Sequence, residues 1–389
     1  PVPNNKIPKM EKAAAALLVL LVAAPLVAGD PIPASKPQLE TWFQSNVGTK
    51  GTLDPALAAA EASPKVIKVS PAGGDFSTVS DAVKSVPSGN TARVIISIAS
   101  GTYQETVTIG RDQPFVTLLG DPKSPPTLVA GKTAATTGTV NSATLIVEGD
   151  YSVIANMVIR NSAPLPDGKE GQQALALRVS GDKVAVYKSS LYGFQDTLCD
   201  HKGMHLYKDC HIEGTVDFIF GGGKSLFLNN EVVVWDSKGY TMITAHAREE
   251  AAEDTGFVFA HCTISGNATN AMLGRAWMTS PRVVYAYTEM SNVVSPEGWS
   301  INFHPERAST VFFGEYQNTG PGADRANRAA FSKVLSDSEV APFLNLDLIQ
   351  GSKWLLPAPA CPRRLKSDDP PIIDNLILKK KWHRIDCKS

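Results

Sequence analysis

From Val66 onward the chain repeats short apolar runs rich in β-branched residues. They fall at Val66–Val69, Arg93–Ile98, Phe115–Leu118, Thr144–Val147, Ser152–Ile159, Ala174–Val179 and Val184–Tyr187. Further runs follow at Ser225–Leu228, Val232–Trp235, Gly256–Phe259 and Arg282–Tyr287. Gly, Asn, Asp and Ser separate them, so they read as strands joined by turns. Helical periodicity is scarce: Thr78–Val86, ending before Pro87, is the clearest case, with a short stretch at Gln38–Phe43. Three runs share one layout, namely Val186–Gly193, Leu206–Gly214 and Phe257–Gly266. Irregular spacings of roughly 20–30 residues suit the coils of a parallel β-helix. One coil cannot bury its apolar face alone, so coils stack around a shared core. The pattern predicts an all-β, parallel β-helix as a single domain over residues 66–356. On pattern alone a β-sandwich array is the alternative.

Composition narrows the class. With 43% hydrophobic and 19% charged residues, the 389-residue chain is too apolar for a disordered protein. Lys and Arg total 37 against 38 Asp and Glu, a balance that argues against a nucleic-acid partner. The ends are basic, +2 over residues 1–29 and +4 over 362–389, so the whole-chain −1 leaves −7 in the middle.

Residues 1–29 read as a signal peptide for export. Lys9 and Lys12 precede the apolar run Ala13–Val22, and Val27-Ala28-Gly29 offers a cleavage site before Asp30. The run is short and broken by Pro25, which argues against a membrane anchor. The first Met is Met10, so residues 1–9 are suspected to be upstream sequence. Residues 30–65 read as a linker and N-terminal cap, and 357–389 as a basic, poorly packed tail.

Export permits disulfides. Of the five cysteines, Cys199 and Cys210 are closest in sequence and are the candidate bridge; two separate buried thiols are the alternative. Cys387 is expected to be free. No cluster has metal-site spacing, so no metal site is expected.

Four segments place polar residues inside apolar strands: Gln173–Arg178, Gly193–Leu198, Gly214–Gly221 and Leu273–Trp277. Asp217 stands in Val-Asp-Phe-Ile-Phe, where a buried carboxylate is costly unless it is paired. Asp196 lies 21 residues upstream, an offset that brings both side chains onto one outer face of a β-helix. Two close carboxylates push their pKa values apart, which supplies one acid and one nucleophile or base. Gln173 and Gln195 add neutral amide donors suited to a developing oxyanion. Arg275 is suited to hold Asp217 in a bidentate contact. Each residue alone has a plainer role. Asp196 can satisfy a turn, Gln173 can sit in a ladder, Arg275 can form a surface ion pair, and Trp277 and Trp299 can be core. The set together is what points to chemistry.

These segments resemble the signature regions of plant pectin methylesterases, carbohydrate esterases built on a right-handed parallel β-helix. Gly193-Phe194-Gln195-Asp196-Thr197-Leu198 and Asp217-Phe218-Ile219-Phe220-Gly221 match the family's two aspartate motifs. Gly101–Glu105 and Gly314–Ala323 are similar to two further family regions, and the likeness spans roughly Val66 to Leu356. The resemblance implies that Asp217 attacks the C6 methyl-ester carbonyl of a galacturonate unit. Asp196 then protonates departing methanol and later activates water. Gln173 and Gln195 stabilise the oxyanion, and Arg275 holds Asp217 and helps bind substrate. Thr139, Phe220, Trp277 and Trp299 match substrate-binding positions. Pectin in the cell wall is the implied partner, a proteinaceous pectinesterase inhibitor is a candidate second one, and no metal or organic cofactor is implied; the sequence gives no reason to expect an oligomer, so a monomer is expected.

The chain departs from the family at three places. Ala276 replaces a usual Pro, which is expected to loosen the aim of Arg275. His246 replaces a common Gln and is a candidate titrating charge near the cleft. Asn230 stands where many relatives have Cys, which leaves Cys262 without its usual partner. About 35 residues between the signal and Val66 are too few for the helical inhibitor-like pro-region of many relatives. Asn267-Ala268-Thr269 fits a glycosylation sequon. Two other function classes stay open: a polygalacturonase or pectate lyase, and a non-catalytic pectin-binding wall protein.

Overall fold

The computed structural model describes residues 29–48 and 52–359. The expected signal segment up to residue 28, the tail from residue 360, Cys361 and Cys387 lie outside the described residues.

Three sheets of eleven, eight and eight strands form the body. The chain visits them in turn: Val153–Ala155, Val158–Asn161 and Leu177–Val179 lie in successive sheets, and Val184–Tyr187 returns to the first. Neighbouring coils pair in parallel in all three sheets. This is the expected parallel β-helix.

The corner between the first two sheets explains the strand limits. The run Ser152–Ile159 is broken at Asn156, whose φ is 56°. Lys188, Asp209, Asn229, His261 and Tyr287 repeat that left-handed conformation at equivalent corners, where Asn and Asp are the residues that tolerate it best. The residue after each corner is buried: Ser189, Cys210, Asn230, Cys262, Thr288. Asn230 accepts from the Cys210 N–H at 2.7 Å and donates to the Tyr207 carbonyl at 2.9 Å, satisfying turn groups that would otherwise be orphaned.

This stacking corrects the expected Cys199–Cys210 bridge. Both thiols are free and buried. Cys210 points into the core, whereas Cys199 lies on the outer face of another sheet. The sheet wall separates them. Cys262 is also free, with Asn230 in register between it and Cys210.

Inside, aromatic rings stack coil upon coil. Tyr207, Phe227, Phe259 and Tyr285 lie at centroid spacings of 4.7, 4.4 and 4.5 Å, nearly parallel. The helix Val79–Lys84 covers the first coil, and the Thr78 side chain accepts from Asp81 N–H as its cap.

The outer face of the eleven-stranded sheet is apolar, with Leu206, Leu226, Val258 and Val284 buried there. Ile32, Leu39, Phe43, Leu57 and Ala60, from the segment expected as a linker and N-terminal cap, are buried along this flank. Phe43 and Leu57, on the helices Leu39–Asn46 and Pro55–Ala60, pack onto it together with Trp354 and Leu355. An apolar sheet face of this size needs cover, and the two terminal segments supply it.

Candidate active site

The sheet running from Val107–Ile109 to Trp299–Ser300 carries the site on its outer face. Its strands pair in register, so Ile146, Arg178, Cys199, Phe220, Ala245, Arg275 and Ser300 form one row along the helix axis. Alternation turns Leu177 and Val179 inward and leaves Arg178 outward.

The two aspartates stand at the entrance to this sheet. Leu198 pairs with Ile219, a step of 21 residues, which is the step from Asp196 to Asp217. Both therefore occupy the same place on successive coils. Both also have left-handed backbone, φ 66° and 51°, a strained conformation of the kind that collects at functional sites. The turns that present them are tight. A Cβ on Gly193 would meet Thr197 Oγ1 at 2.7 Å, and one on Gly214 would meet Phe218 Cβ at 2.2 Å. Thr197 Oγ1 donates to the Glu213 carbonyl at 2.9 Å and Asp196 N–H to the Val216 carbonyl at 3.0 Å, so one turn is stitched to the next.

Arg275 lies two coils beyond Asp217 and reaches back to it. Its Nε and Nη2 donate to the two carboxylate oxygens at 2.8 and 2.7 Å. This fork fixes the orientation of the carboxylate. Burial works against the guanidinium charge, but the contacts with Asp217 outweigh it and hold Arg275 above its ordinary value. Asp196 has the opposite setting. Burial, and then the charge of Asp217, push its carboxyl well above the ordinary range, and Arg275 offsets this only in part. The pair is therefore asymmetric: the Asp196 carboxyl is biased toward its protonated form, and Asp217 is gripped by an arginine.

The walls come from the loops before the strands. Gln173 and Gln195 are half-buried, and successive turns are joined by the Ala174 N–H bond to the Gln195 carbonyl at 3.2 Å. Neither side-chain amide is engaged by another described residue. Thr139 sits in a short turn whose preceding helix, Ala134–Thr137, hangs on the Gln173 carbonyl through Ala134 N–H at 2.8 Å. Phe220 and Trp277 meet edge to face at 6.0 Å beside the row.

Two expectations are corrected. Trp299 is 2% exposed and stacks on Phe313 at 4.4 Å, and its indole N–H donates to Glu315 at 2.9 Å. It belongs to the core and does not face the cleft: it pairs with Gly274 while Ser300 takes the outward position beside Arg275, so alternation turns the indole inward, toward a Glu315 that Arg325 and Arg328 also bind. His246 is fully buried, and burial lowers its pKa to about 4. Its Nδ1 faces the Arg282 N–H and its Nε2 the Gly223 carbonyl, both at 3.3 Å, so it stays neutral and adds no charge to the cleft. Ala276, the remaining departure at the site, is fully buried beside Arg275. Its N–H, which proline lacks, donates to the Ser300 carbonyl at 2.8 Å, and its carbonyl accepts from Arg307 at 2.7 Å.

Tyr240 escaped the sequence reading. It is half-exposed, its hydroxyl lies 3.0 Å from Ser300 Oγ, and with Leu165, Pro166, Gln195 and Val216 it lines a hollow of about 210 Å³. It stands in a polar loop with no periodic signal, so only the fold reveals it.

Comparison with known proteins agrees with this geometry. The pectinesterase family model matches residues 65–352. Pectinesterase 1 of Olea europaea is 52% identical over 353 residues, covering 88% of this chain and 96% of its own. Among solved structures, the pectin methylesterase from carrot has a TM-score of 0.70 at 30% identity, over 76% of this chain and 95% of that one. A mutant pectin methylesterase in complex with a hexasaccharide has a TM-score of 0.64 at 26% identity, over 76% and 99%. The chain therefore belongs to the pectinesterase family, whose members are carboxylic ester hydrolases.

Proposed function

We propose that this protein hydrolyses the C6 methyl esters of pectin, releasing methanol and leaving pectate, through an acyl-enzyme on Asp217. The observation that carries the mechanism is the divergence of the two aspartates: Asp217 clamped in the Arg275 fork, Asp196 raised by burial. Asp217 attacks the ester carbonyl carbon, and the carbonyl electron pair moves onto oxygen. The amides of Gln173 and Gln195 receive that oxyanion. Collapse forms an anhydride with Asp217 and breaks the bond to the methoxy oxygen, which takes its proton from Asp196. Asp196, now ionised, removes a proton from water. The hydroxide formed splits the anhydride, releases the acid and regenerates Asp217, and Asp196 is left protonated again. Thr139, Phe220 and Trp277 position the sugar.

The setting we infer is the cell wall, reached by export through residues 1–29, with pectin as substrate and a proteinaceous inhibitor as a further partner. Among the described residues no helix is long and apolar enough to cross a membrane.

The test is methanol release from highly methylated pectin by the wild type and Asp217→Ala, with reducing ends assayed in the same tubes. Methanol from the wild type alone, with no new reducing ends, supports the esterase. Reducing ends without methanol support a glycosidase, and neither product from folded protein supports a pectin binder.

A further inference from the structure

The chain leaves the strand that carries Arg275 through a sharp turn. Trp277 N–H donates to the Arg275 carbonyl, two residues back, at 2.9 Å, so Ala276 is the centre of a three-residue turn. Ala276 is not among the residues with left-handed backbone. The turn is therefore of the inverse kind, with a central φ of about −75°. Trp277 hangs on this turn. Its ring is half-buried and meets Phe220 edge to face at 6.0 Å. Its indole N–H has no hydrogen-bond partner among the described residues. Where the ring points is thus set largely by the backbone beneath it.

Arg307 reaches that backbone from the next coil. Its Nη1 donates to the Ala276 carbonyl at 2.7 Å and to the Trp277 carbonyl at 2.8 Å. It belongs to the short helix Pro305–Ser309, where it alone is not fully exposed. Its own backbone is anchored. The Arg307 carbonyl accepts from the N–H groups of Thr310 and Val311, both at 3.0 Å, and Phe312 N–H donates to the Pro281 carbonyl at 2.9 Å. Thr310 Oγ1 donates to the Thr279 carbonyl, so the two segments run side by side. Arg307 makes no ion pair among the described residues. Its charge is spent on two peptide carbonyls instead. A proline at the centre of such a turn would hold φ by its ring. Alanine has no ring, and the grip on the two carbonyls restrains the turn in its place.

We propose that Arg307 is a positioning residue: by gripping the carbonyls of Ala276 and Trp277 it sets where the Trp277 ring meets the sugar. The inference rests on the esterase reading above, in which Trp277 positions the substrate. Arg307 acts on binding and not on the chemical step. Arg275, one residue before the turn, is held separately by its two bonds to Asp217.

The test is a double-mutant cycle read by methanol release from highly methylated pectin. Arg307→Met keeps the apolar stem and removes the donors. It is expected to raise KM about tenfold, the scale of one hydrogen bond to a charged group, with kcat near wild type. Arg307→Lys should recover most of the loss, since an ammonium at the same place has donors for both carbonyls. Ala276→Pro closes the cycle, because its ring supplies the restraint on φ that Arg307 supplies from outside. In the Ala276→Pro background, Arg307→Met should raise KM only about threefold, the non-additivity of two changes that act on one turn. Hydrogen exchange across residues 276–281 should quicken in Arg307→Met and stay slow in Arg307→Lys. If Arg307→Met does not fold, Arg307→Gln, which lacks the charge, is read in the same way. An unchanged KM in Arg307→Met overturns the proposal, even where exchange quickens. So does a tenfold loss undiminished in the Ala276→Pro background, or a fall in kcat at unchanged KM. Failure of the esterase reading shows separately, as no methanol from the wild type; failure of the proposal leaves wild-type release intact.

Discussion

Asp196 and Asp200 stand on one coil, four residues apart, and face opposite sides of the same wall. Asp196 looks to the cleft with Asp217 and Arg275. Asp200 looks into the core, fully buried beside His205 Nδ1, while His205 Nε2 lies 2.8 Å from the Gly181 carbonyl. Burial opposes charging His205, but Asp200 wins and raises its pKa. The phenol of Tyr207 lies in the same pocket and is pushed up by burial and then by Asp200. Thus one carboxyl is biased toward its protonated form by burial and by Asp217, while the other faces an imidazole whose pKa it raises. Residue type is the same; the partner within reach decides whether the group does chemistry or holds the fold.

Exchanging each acid for its amide separates the two roles. Asp196→Asn should cost about 10²–10⁴-fold in kcat, the usual scale of a general acid. It should not lower the thermal midpoint, since it removes a carboxyl whose ionisation burial opposes. Asp200→Asn should do the reverse. Leaving His205 without its anion costs about 3–5 kcal/mol of stability, read as a lower unfolding midpoint, with kcat per folded molecule unchanged. If Asp200→Asn lost turnover at full stability, the interior cluster would be part of the catalytic apparatus and the contrast would collapse.

The two clusters also differ in what a pH titration reads. In the proposed mechanism Asp196 serves as acid only while protonated, so kcat should fall as pH rises through its raised pKa. Because the two aspartates interact, the inflection belongs to the pair. His205 has a raised folded pKa, so its contribution to stability is complete below its unfolded value near 6.5 and is lost as pH rises through the folded one. Asp200→Asn should abolish the dependence of the unfolding midpoint that comes from His205 and leave the limb in kcat. A limb in kcat that moved with Asp200→Asn would tie the two clusters together.

Much of this was legible in the chain. Short β-branched runs at coil spacing announced the β-helix, and a 21-residue step between Asp196 and Asp217 became a structural step because each coil repeats at that interval there. The pairing of Arg275 with Asp217 was readable from charge alone. Trp299 was not, because whether an aromatic faces in or out depends on the register of its strand, which pairs Trp299 with Gly274 and leaves Ser300 in the outward row. Nor was the fate of Cys199 and Cys210, since nearness in sequence says nothing about the side of a sheet. The cover supplied by Phe43 and Leu57 was invisible because the apolar face it protects is assembled from several coils. His246 looked like a charge near the cleft. Its burial against Phe257, with ring centroids 4.5 Å apart, is a property of the stacked core.

The smallest expected effect tests how the cleft cluster is held. Ala276 is completely buried next to Arg275, and its N–H donates to the Ser300 carbonyl at 2.8 Å. Ala276→Pro removes that donor and leaves the carbonyl one partner short, a cost of about 1 kcal/mol. A modest fall in the unfolding midpoint should register it. The guanidinium itself is held by its two bonds to Asp217, and Arg275 still pairs with Ala245 and Ser300 in the sheet. Its aim should survive, and kcat/KM should change little. A clear loss of kcat at an unchanged midpoint would mean that the Ala276 bond aims Arg275 as well as supporting its strand. The cleft cluster would then depend on backbone beyond its side chains, and would resemble the Asp200–His205 pair, itself boxed in by backbone, more closely than the side-chain contacts suggest.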